Sequence, residues 1–219
     1  MSIKGLKSKY SVSEIKHMAM EENERPEAMV VEPEKIRPVP AFIQKSEEVT
    51  GTLRGTAYHK FFEIFDYSVC GDYESIEVYF RQCIESGIIP GEYEELINRK
   101  IFVTFINSEL GKRMAAADSA GLLFREQPFI MEIPADLVNR EFPADEKVLI
   151  QGIVDAFFFE NDKVYIVDYK TDRVNNEKDL VDRYKKQLEL YAETLVSVTG
   201  RELGACYLYS TCLGKEIII

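Results

Sequence analysis

The chain has 219 residues, 46% of them apolar, which is enough for one domain with a full core, or one domain plus an arm. A net charge of −11 counts against a free-standing nucleic-acid binder, which is usually basic, although a local basic patch or a metal can still make such a contact. Four cysteines without a C-x-x-C pair and only two histidines argue against structural zinc and thioredoxin-type chemistry; free thiols in a reducing compartment account for them. The first ten residues lack the apolar run of a signal peptide, and no stretch reaches membrane-span length. The expected location is cytoplasmic, with no membrane partner.

Ser11 followed by Glu14 has capping-box spacing, with Ser13 as a competing cap, and predicts a short helix ending near Glu22. Residues 21–50 hold four prolines and many charges with little periodicity. They read as an extended surface arm, either a connector or a surface for another protein. The chain therefore divides into an N-terminal helix and extended arm over 1–50 and a core over 51–219. Residues 53–67 turn helical, with Tyr58, Phe61, Phe62 and Phe65 as an apolar stripe. His59 and Glu63 share a face of that helix, and His59 reads either as a satisfied core histidine or as a ligand. Gly55, one turn earlier, would allow a close approach. Helices are expected over 73–85 and over 93–117, the second with Gly111 as its breaking point. Residues 122–133 read as a strand with Pro128 at an edge or bulge. Glu126 interrupts that strand, as a surface residue or as one more acid near those that follow.

After a charged loop over 134–147 comes the stretch on which the chain is organised, Q-G-I-V-D-A-F-F-F-E-N-D-K-V-Y-I-V-D-Y-K, residues 151–170. Two apolar runs flank an E-N-D-K turn, which is a hairpin signal. Asp155 interrupts the first run and Asp168 the second. Strand period places Asp168 and Lys170 on one face, above Val164 and Ile166. Paired strands would bring Asp155 near Asp168, and two carboxylates on apolar strands call for a positive charge between them. A divalent cation with oxygen ligands answers that need, with Lys170 beside it to orient or deprotonate water. The plainer reading is the polar face of a half-exposed hairpin.

Beyond a polar loop, residues 179–198 are helical, with Leu180, Tyr184, Leu188, Tyr191 and Leu195 in the stripe, Gln187 and Tyr191 on one face, and Gly200 as the stop. Residues 203–209 read as a buried strand and 214–219 as a last edge strand. Arg173, Lys178, Arg183, Lys185 and Lys186 cluster after the hairpin and predict weak nucleic-acid binding that falls steeply with salt, tighter for single strands than the net charge suggests, or else a solvated helix face. The order of elements gives an α/β fold: a mixed sheet with a crossover helix.

The motifs R-G-T-A-Y-H (54–59), F-R-E-Q-P-F (124–129), G-I-V-D (152–155), D-Y-K-T (168–171), Q-L-E-L-Y (187–191) and Y-L-Y-S-T-C-L-G-K-E-I (207–217) occur in this order, after an S-V-S-E-I entry segment (11–15). Over nearly its whole length the chain resembles the C-terminal nuclease domains of A-type subunits of ATP-dependent helicase–nucleases. These form part of the RecB-like branch of the PD-(D/E)XK nucleases. The resemblance implies a restriction-endonuclease-like mixed central sheet flanked by helices. It implies that His59, Asp155, Asp168 and the main-chain carbonyl of Tyr169 hold Mg²⁺ or Mn²⁺. Lys170 would be catalytic together with Asp155 and Asp168, with Gln187 and Tyr191 behind them and Glu126 matching an acid of unassigned role. It further implies exonucleolytic cleavage of single-stranded DNA during double-strand-break repair. The expected partners are helicase domains of the same longer chain and a second helicase–nuclease subunit. No iron–sulfur cluster is expected, because Cys70, Cys83, Cys206 and Cys212 lack the cluster spacing of the partner-type subunits. The absence of a G-x-x-x-x-G-K-[ST] loop predicts no ATP site in this stretch, which reads as one domain of a larger enzyme. Another metal-dependent phosphoester hydrolase and a non-catalytic docking module are the competing readings.

Overall fold

The computed structural model describes residues 6–15, 18 and 41–219, the last from residue 51 onward with its side chains. Strand β1 (Lys9–Ser11) leads into a helical turn over 12–15. There the capping box closes in both directions: Ser11 N donates to Glu14 Oε2 at 2.8 Å, and Glu14 N donates to Ser11 Oγ at 3.2 Å. The end of this helix near Glu22 lies outside the described residues, as do residues 21–40 of the expected arm.

Helix α1 (Ala41–Ile64) runs unbroken across the boundary drawn at 50/51. Residues 41–50 are thus helical and not extended. Pro40 is the last proline before the helix, and the stretch behind it is rich in good helix formers such as Gln44, Lys45, Glu47 and Glu48, whose propensity outweighs the weak apolar periodicity. Helix α2 (Tyr73–Glu85) is capped by Asp72, which accepts from Ser75 N. The segment expected as one helix over 93–117 is a short 3₁₀ turn (Gly91–Tyr93) followed by two helices, α3 (Arg99–Asn107) and α4 (Glu109–Ser119). The break falls at Ser108 and not at Gly111. The Ser108 hydroxyl accepts from Gly111 N at 3.0 Å and starts a new helix. Gly111 serves the same junction sterically, since a Cβ there would stand 2.0 Å from the Phe105 carbonyl oxygen.

Next come strands β2 (Leu123–Pro134), β3 (Lys147–Glu160) and β4 (Lys163–Lys170), helix α5 (Glu177–Thr199) and strand β5 (Glu202–Ser210), with β6 (Lys215–Ile218) closing the sheet. The β3–β4 connection is two residues, Asn161 and Asp162, both at positive φ (49° and 61°), which is the tight hairpin turn that Asn and Asp tolerate best. The six-stranded sheet runs β1-β3-β4-β5-β6, with β2 also paired to β3. It is mixed: β1 is parallel to β3 and β4 to β5, whereas β2–β3, β3–β4 and β5–β6 are antiparallel. Each face carries a core. On one, the aromatic stripe of α1 (Tyr58, Phe61, Phe62, Phe65) packs with Phe80, Phe102 and Phe105 onto Phe158, Tyr169 and Tyr209. On the other, α5 lays Leu180, Tyr184, Leu188 and Leu195 on Val164, Ile166 and Leu208.

The long strand β3 sets up the site. Along one edge β2 pairs with it from Lys147 to Phe158, interrupted at Asp155. Along the other, β1 covers Leu149–Gln151 and β4 covers Ala156–Glu160. Between these two partners, residues 152–155 face a gap. Gly152 sits at its start because the space is taken: a Cβ there would lie 2.8 Å from the Phe129 ring and 2.9 Å from Val12.

Candidate metal and catalytic site

Asp155 stands at the upper end of that gap. The β3–β4 ladder stops at Ala156–Val167, so the next amide of β4 loses its strand partner. The Asp155 side chain replaces it: Tyr169 N donates to Asp155 Oδ2 at 2.8 Å. One carboxylate oxygen is thereby fixed in the plane of the sheet, and Oδ1 is left for other contacts. The β3–β4 register places Asp168 opposite Asp155, on the face covered by α5, as strand period predicts.

Both β2 and β3 change phase at this level. Below it, Met131 and Ile133 of β2 and Val148 and Ile150 of β3 feed the α5-side core; above it, Leu123 and Phe158 pair within the other core. The switch occurs at Glu126, whose φ of +47° is a left-handed conformation that a non-glycine residue adopts at a cost. The β2–β3 register sets Glu126 directly across from Asp155. Glu126 is therefore no ordinary surface strand residue: its side chain is 31% exposed and faces the site. The acid interrupting an apolar strand and its place in the F-R-E-Q-P-F motif signalled this in the sequence; the phase change that turns it inward has no such signature.

His59 reaches the same point from α1. Its Nδ1 lies 3.4 Å from Asp155 Oδ1 and 3.9 Å from Glu126 Oε1. Ligand atoms of His59, Glu126 and Asp155 all fall within 4.8 Å of one another. Gly55 allows a milder approach than its position suggests, because a Cβ there would rest 3.4 Å from Thr171 Oγ1. Glu63 turns away from His59 and pairs with Lys60 at 2.9 Å.

Asp168 is wholly buried and held on two sides. Gln187 Nε2 donates to its Oδ1 at 2.9 Å and, from the same nitrogen, to the Tyr191 hydroxyl at 2.9 Å. Lys170 Nζ lies 2.6 Å from Oδ2. The ammonium occupies one lone pair of Oδ2 in a short charge-assisted contact, and the second lone pair of this buried oxygen has no further donor among the described residues. Tyr191 touches the site through Gln187 and is itself braced by the Phe129 ring at 5.6 Å. The Tyr169 ring lies in the opposite core, stacked on Phe62 at 3.9 Å, and meets the site there as an edge-on neighbour of the His59 ring at 6.2 Å.

The electrostatics follow from packing three acids, an imidazole and an ammonium together. Burial works against the imidazolium of His59, but the hydrogen bond and negative charge of Asp155 outweigh it and raise its pKa. Burial likewise opposes ionisation of Asp155; His59, Lys170 and the Tyr169 amide prevail and lower its pKa. Asp168 goes the other way, because burial, aided by Asp155, exceeds what Lys170 offsets. Burial and the facing Asp155 push Glu126 up to about 7. Lys170 is buried, yet Asp168 and Asp155 raise its pKa, so it stands as an ammonium.

Two carboxylates and an imidazole converging within ligand reach, next to a buried carboxylate oxygen with a spare lone pair, fit a hard or borderline divalent cation. The four cysteines do not converge: Cys83 and Cys206 are buried in cores on opposite faces of the sheet, and Cys70 and Cys212 are exposed. Among the described residues no helix is long and apolar enough to cross a membrane.

A mixed sheet that gathers carboxylates, an imidazole and a lysine at a gap between strands has the plan of a metal-dependent nuclease. Residues 33–216 match the PD-(D/E)XK nuclease superfamily, and the chain belongs to it. ATP-dependent helicase/nuclease subunits of the A type are similar over nearly its whole length. One from Clostridium botulinum (strain Alaska E43) is 35% identical over 223 residues and one from Clostridium beijerinckii 32% over 220, each covering 98% of this chain. The Clostridium perfringens relative is 32% identical over 229 residues, covering 97%. The chain spans 18% of the length of each of these relatives.

Proposed function

We propose that the chain is the nuclease module of a helicase–nuclease and hydrolyses DNA phosphodiester bonds on strands unwound by a motor. The observation that carries this reading is the convergence of His59, Glu126 and Asp155 beside the Asp168–Lys170 pair at one gap in the sheet. His59, Asp155, Asp168 and the Tyr169 carbonyl would hold Mg²⁺ or Mn²⁺, with Glu126 completing the set. The imidazole nitrogen favours Mn²⁺ in vitro, since magnesium prefers oxygen. A bound divalent cation supplies Lewis-acid polarisation of the phosphate and a more acidic water.

The side chains do the rest. Lys170 is an ammonium and does not abstract a proton; it orients the attacking water and offsets charge gathering on the phosphate. Gln187 fixes the Asp168 carboxylate, and Tyr191 fixes Gln187. The leaving 3′ oxygen takes its proton from solvent, as no described side chain is placed to give one. The partners this reading brings are helicase domains of the same longer polypeptide and a second, separate polypeptide of the helicase–nuclease. Repair of double-strand breaks is the setting and exonucleolytic cleavage the mode.

The test is cleavage of end-labelled single-stranded DNA with Mn²⁺ or Mg²⁺, set beside Mn²⁺ calorimetry. Lys170→Ala should lose cleavage and retain the metal, because it removes a cation and no ligand. Asp155→Ala should lose both. Folded Lys170→Ala cleaving at the parental rate would refute the assignment.

A further inference from the structure

Lys170 is the only member of the site whose role depends on where a flexible four-carbon stem places its charge. Asp168 Oδ2 restrains one side of the ammonium. The other side rests on the face of Tyr184, with Nζ 4.4 Å from the ring centroid. Tyr184 projects from α5, one turn before Gln187, and is buried. Its ring is anchored as well: the hydroxyl donates to Asp172 Oδ2 at 2.8 Å, and Arg183 Nη1 stands 3.4 Å from Asp172 Oδ1. Asp172 lies two residues beyond Lys170 on the same strand exit. The chain thus closes a loop on itself, from Lys170 to the ring, from the hydroxyl to Asp172, and back along the main chain. Within that loop α5 divides the ion pair between two residues: Gln187 holds the carboxylate and Tyr184 holds the ammonium.

We propose that Tyr184 is a positioning residue for Lys170, its ring forming the surface that keeps the ammonium aimed at the reacting phosphate, and that Asp172 holds that ring in place. The proposal rests on the nuclease reading above. A cation over an aromatic face in a desolvated site is attracted by the ring quadrupole, and the geometry is lost if the ring is lost. A plain core role for Tyr184 would need neither the ring face nor the hydroxyl.

The test compares Tyr184→Phe, which keeps the ring, with Tyr184→Leu, which keeps apolar volume without it, and includes Lys170→Ala. Two readouts are used on the 219-residue chain. The first is NMR of the Lys170 side chain in metal-free protein, where a ring current should shift the terminal protons upfield in the parent and in Tyr184→Phe and leave them unshifted in Tyr184→Leu. The second is single-strand cleavage with Mn²⁺. Tyr184→Leu should lower kcat about tenfold, with KM and Mn²⁺ affinity unchanged, and Tyr184→Phe, which keeps the ring but loses its hydrogen bond to Asp172, should show a smaller loss. An unshifted Lys170 in the parent overturns the proposal while leaving the nuclease reading intact. So does parental kcat in Tyr184→Leu, or equal loss in both variants. If Lys170→Ala cleaves at the parental rate, the nuclease reading itself fails, and the positioning role falls with it.

Discussion

Glu126 bears two unfavourable conditions at once, a left-handed backbone at φ +47° and a carboxylate set across from Asp155. Strain and like-charge opposition persist where the surroundings over-determine them, and here they put an oxygen ligand where a cation would relieve the repulsion. The consequence for pH is specific. Burial and Asp155 raise the folded pKa of Glu126 to about 7, above its ordinary 4.5. Its contribution to stability in the metal-free protein is fully present below the ordinary carboxylate pKa and is lost as pH rises through about 7. Glu126→Gln, which cannot ionise, should therefore gain in Tm relative to the parent between pH 5 and pH 8, as read by thermal denaturation in chelator. Mn²⁺ must displace the same proton, so affinity for the parent should rise with pH over this range, and the rise should flatten in Glu126→Gln. A parent and variant with parallel pH profiles would show that Glu126 does not titrate there.

At the scale of elements, the site depends on β3 having different neighbours on its two edges. Gly152 begins the unpaired stretch, and its missing side chain is filled by Phe129 and Val12. Gly152→Ala should destabilise the fold by about 1–3 kcal/mol in urea denaturation, since the atoms in the way are side-chain ends that can swing aside. The displaced Phe129 ring is the one that braces Tyr191, so cleavage should fall as well, with Mn²⁺ affinity nearly unchanged. Unaltered activity would show that the Phe129–Tyr191–Gln187 chain does not hold Asp168. Much of this architecture was legible in advance. The strand at 122–133 and the hairpin over 151–170 follow from their apolar runs and the Asn–Asp turn, and helix 179–198 follows from its stripe and Gly200, whose φ is 68°. The motifs also pointed to Asp155, Asp168, Lys170 and His59, which the fold brings together. What escaped the sequence has physical reasons. Ser108 ends one helix and caps the next, whereas the glycine that announces the junction, Gly111, stands three residues further on. Residues 41–50 looked like arm because proline and charge precede them. Tyr184 looked like one more apolar stripe residue, since its polar task becomes visible only when β4 puts Lys170 against its ring.

For the whole molecule, the net charge of −11 and the local pairing of cations limit what the chain can grip alone. Of the basic cluster after β4, Lys178 pairs with Asp182 at 2.6 Å, Arg183 with Asp172 at 3.4 Å and Lys186 with Glu189 at 3.8 Å. Among the described residues Arg173 and Lys185 make no ion pair. The steep salt dependence expected from five neighbouring cations is thereby reduced. The chain should bind single-stranded DNA weakly, with log K falling against log salt with a slope of about −1 to −2, as two released counterions imply. Fluorescence anisotropy over a salt series reads this slope, and a slope near −4 would mean that the paired cations also contact phosphate.

The most direct measurement is anomalous diffraction from crystals of the chain soaked in Mn²⁺. A single strong peak in the gap of β3, about 2.0–2.3 Å from a His59 ring nitrogen and from oxygens of Asp155 and of Glu126 or Asp168, is the predicted result. No peak at that site in a soaked crystal, or a peak elsewhere with His59 and Asp155 still in direct contact, would contradict the assignment of this gap as the metal-dependent centre.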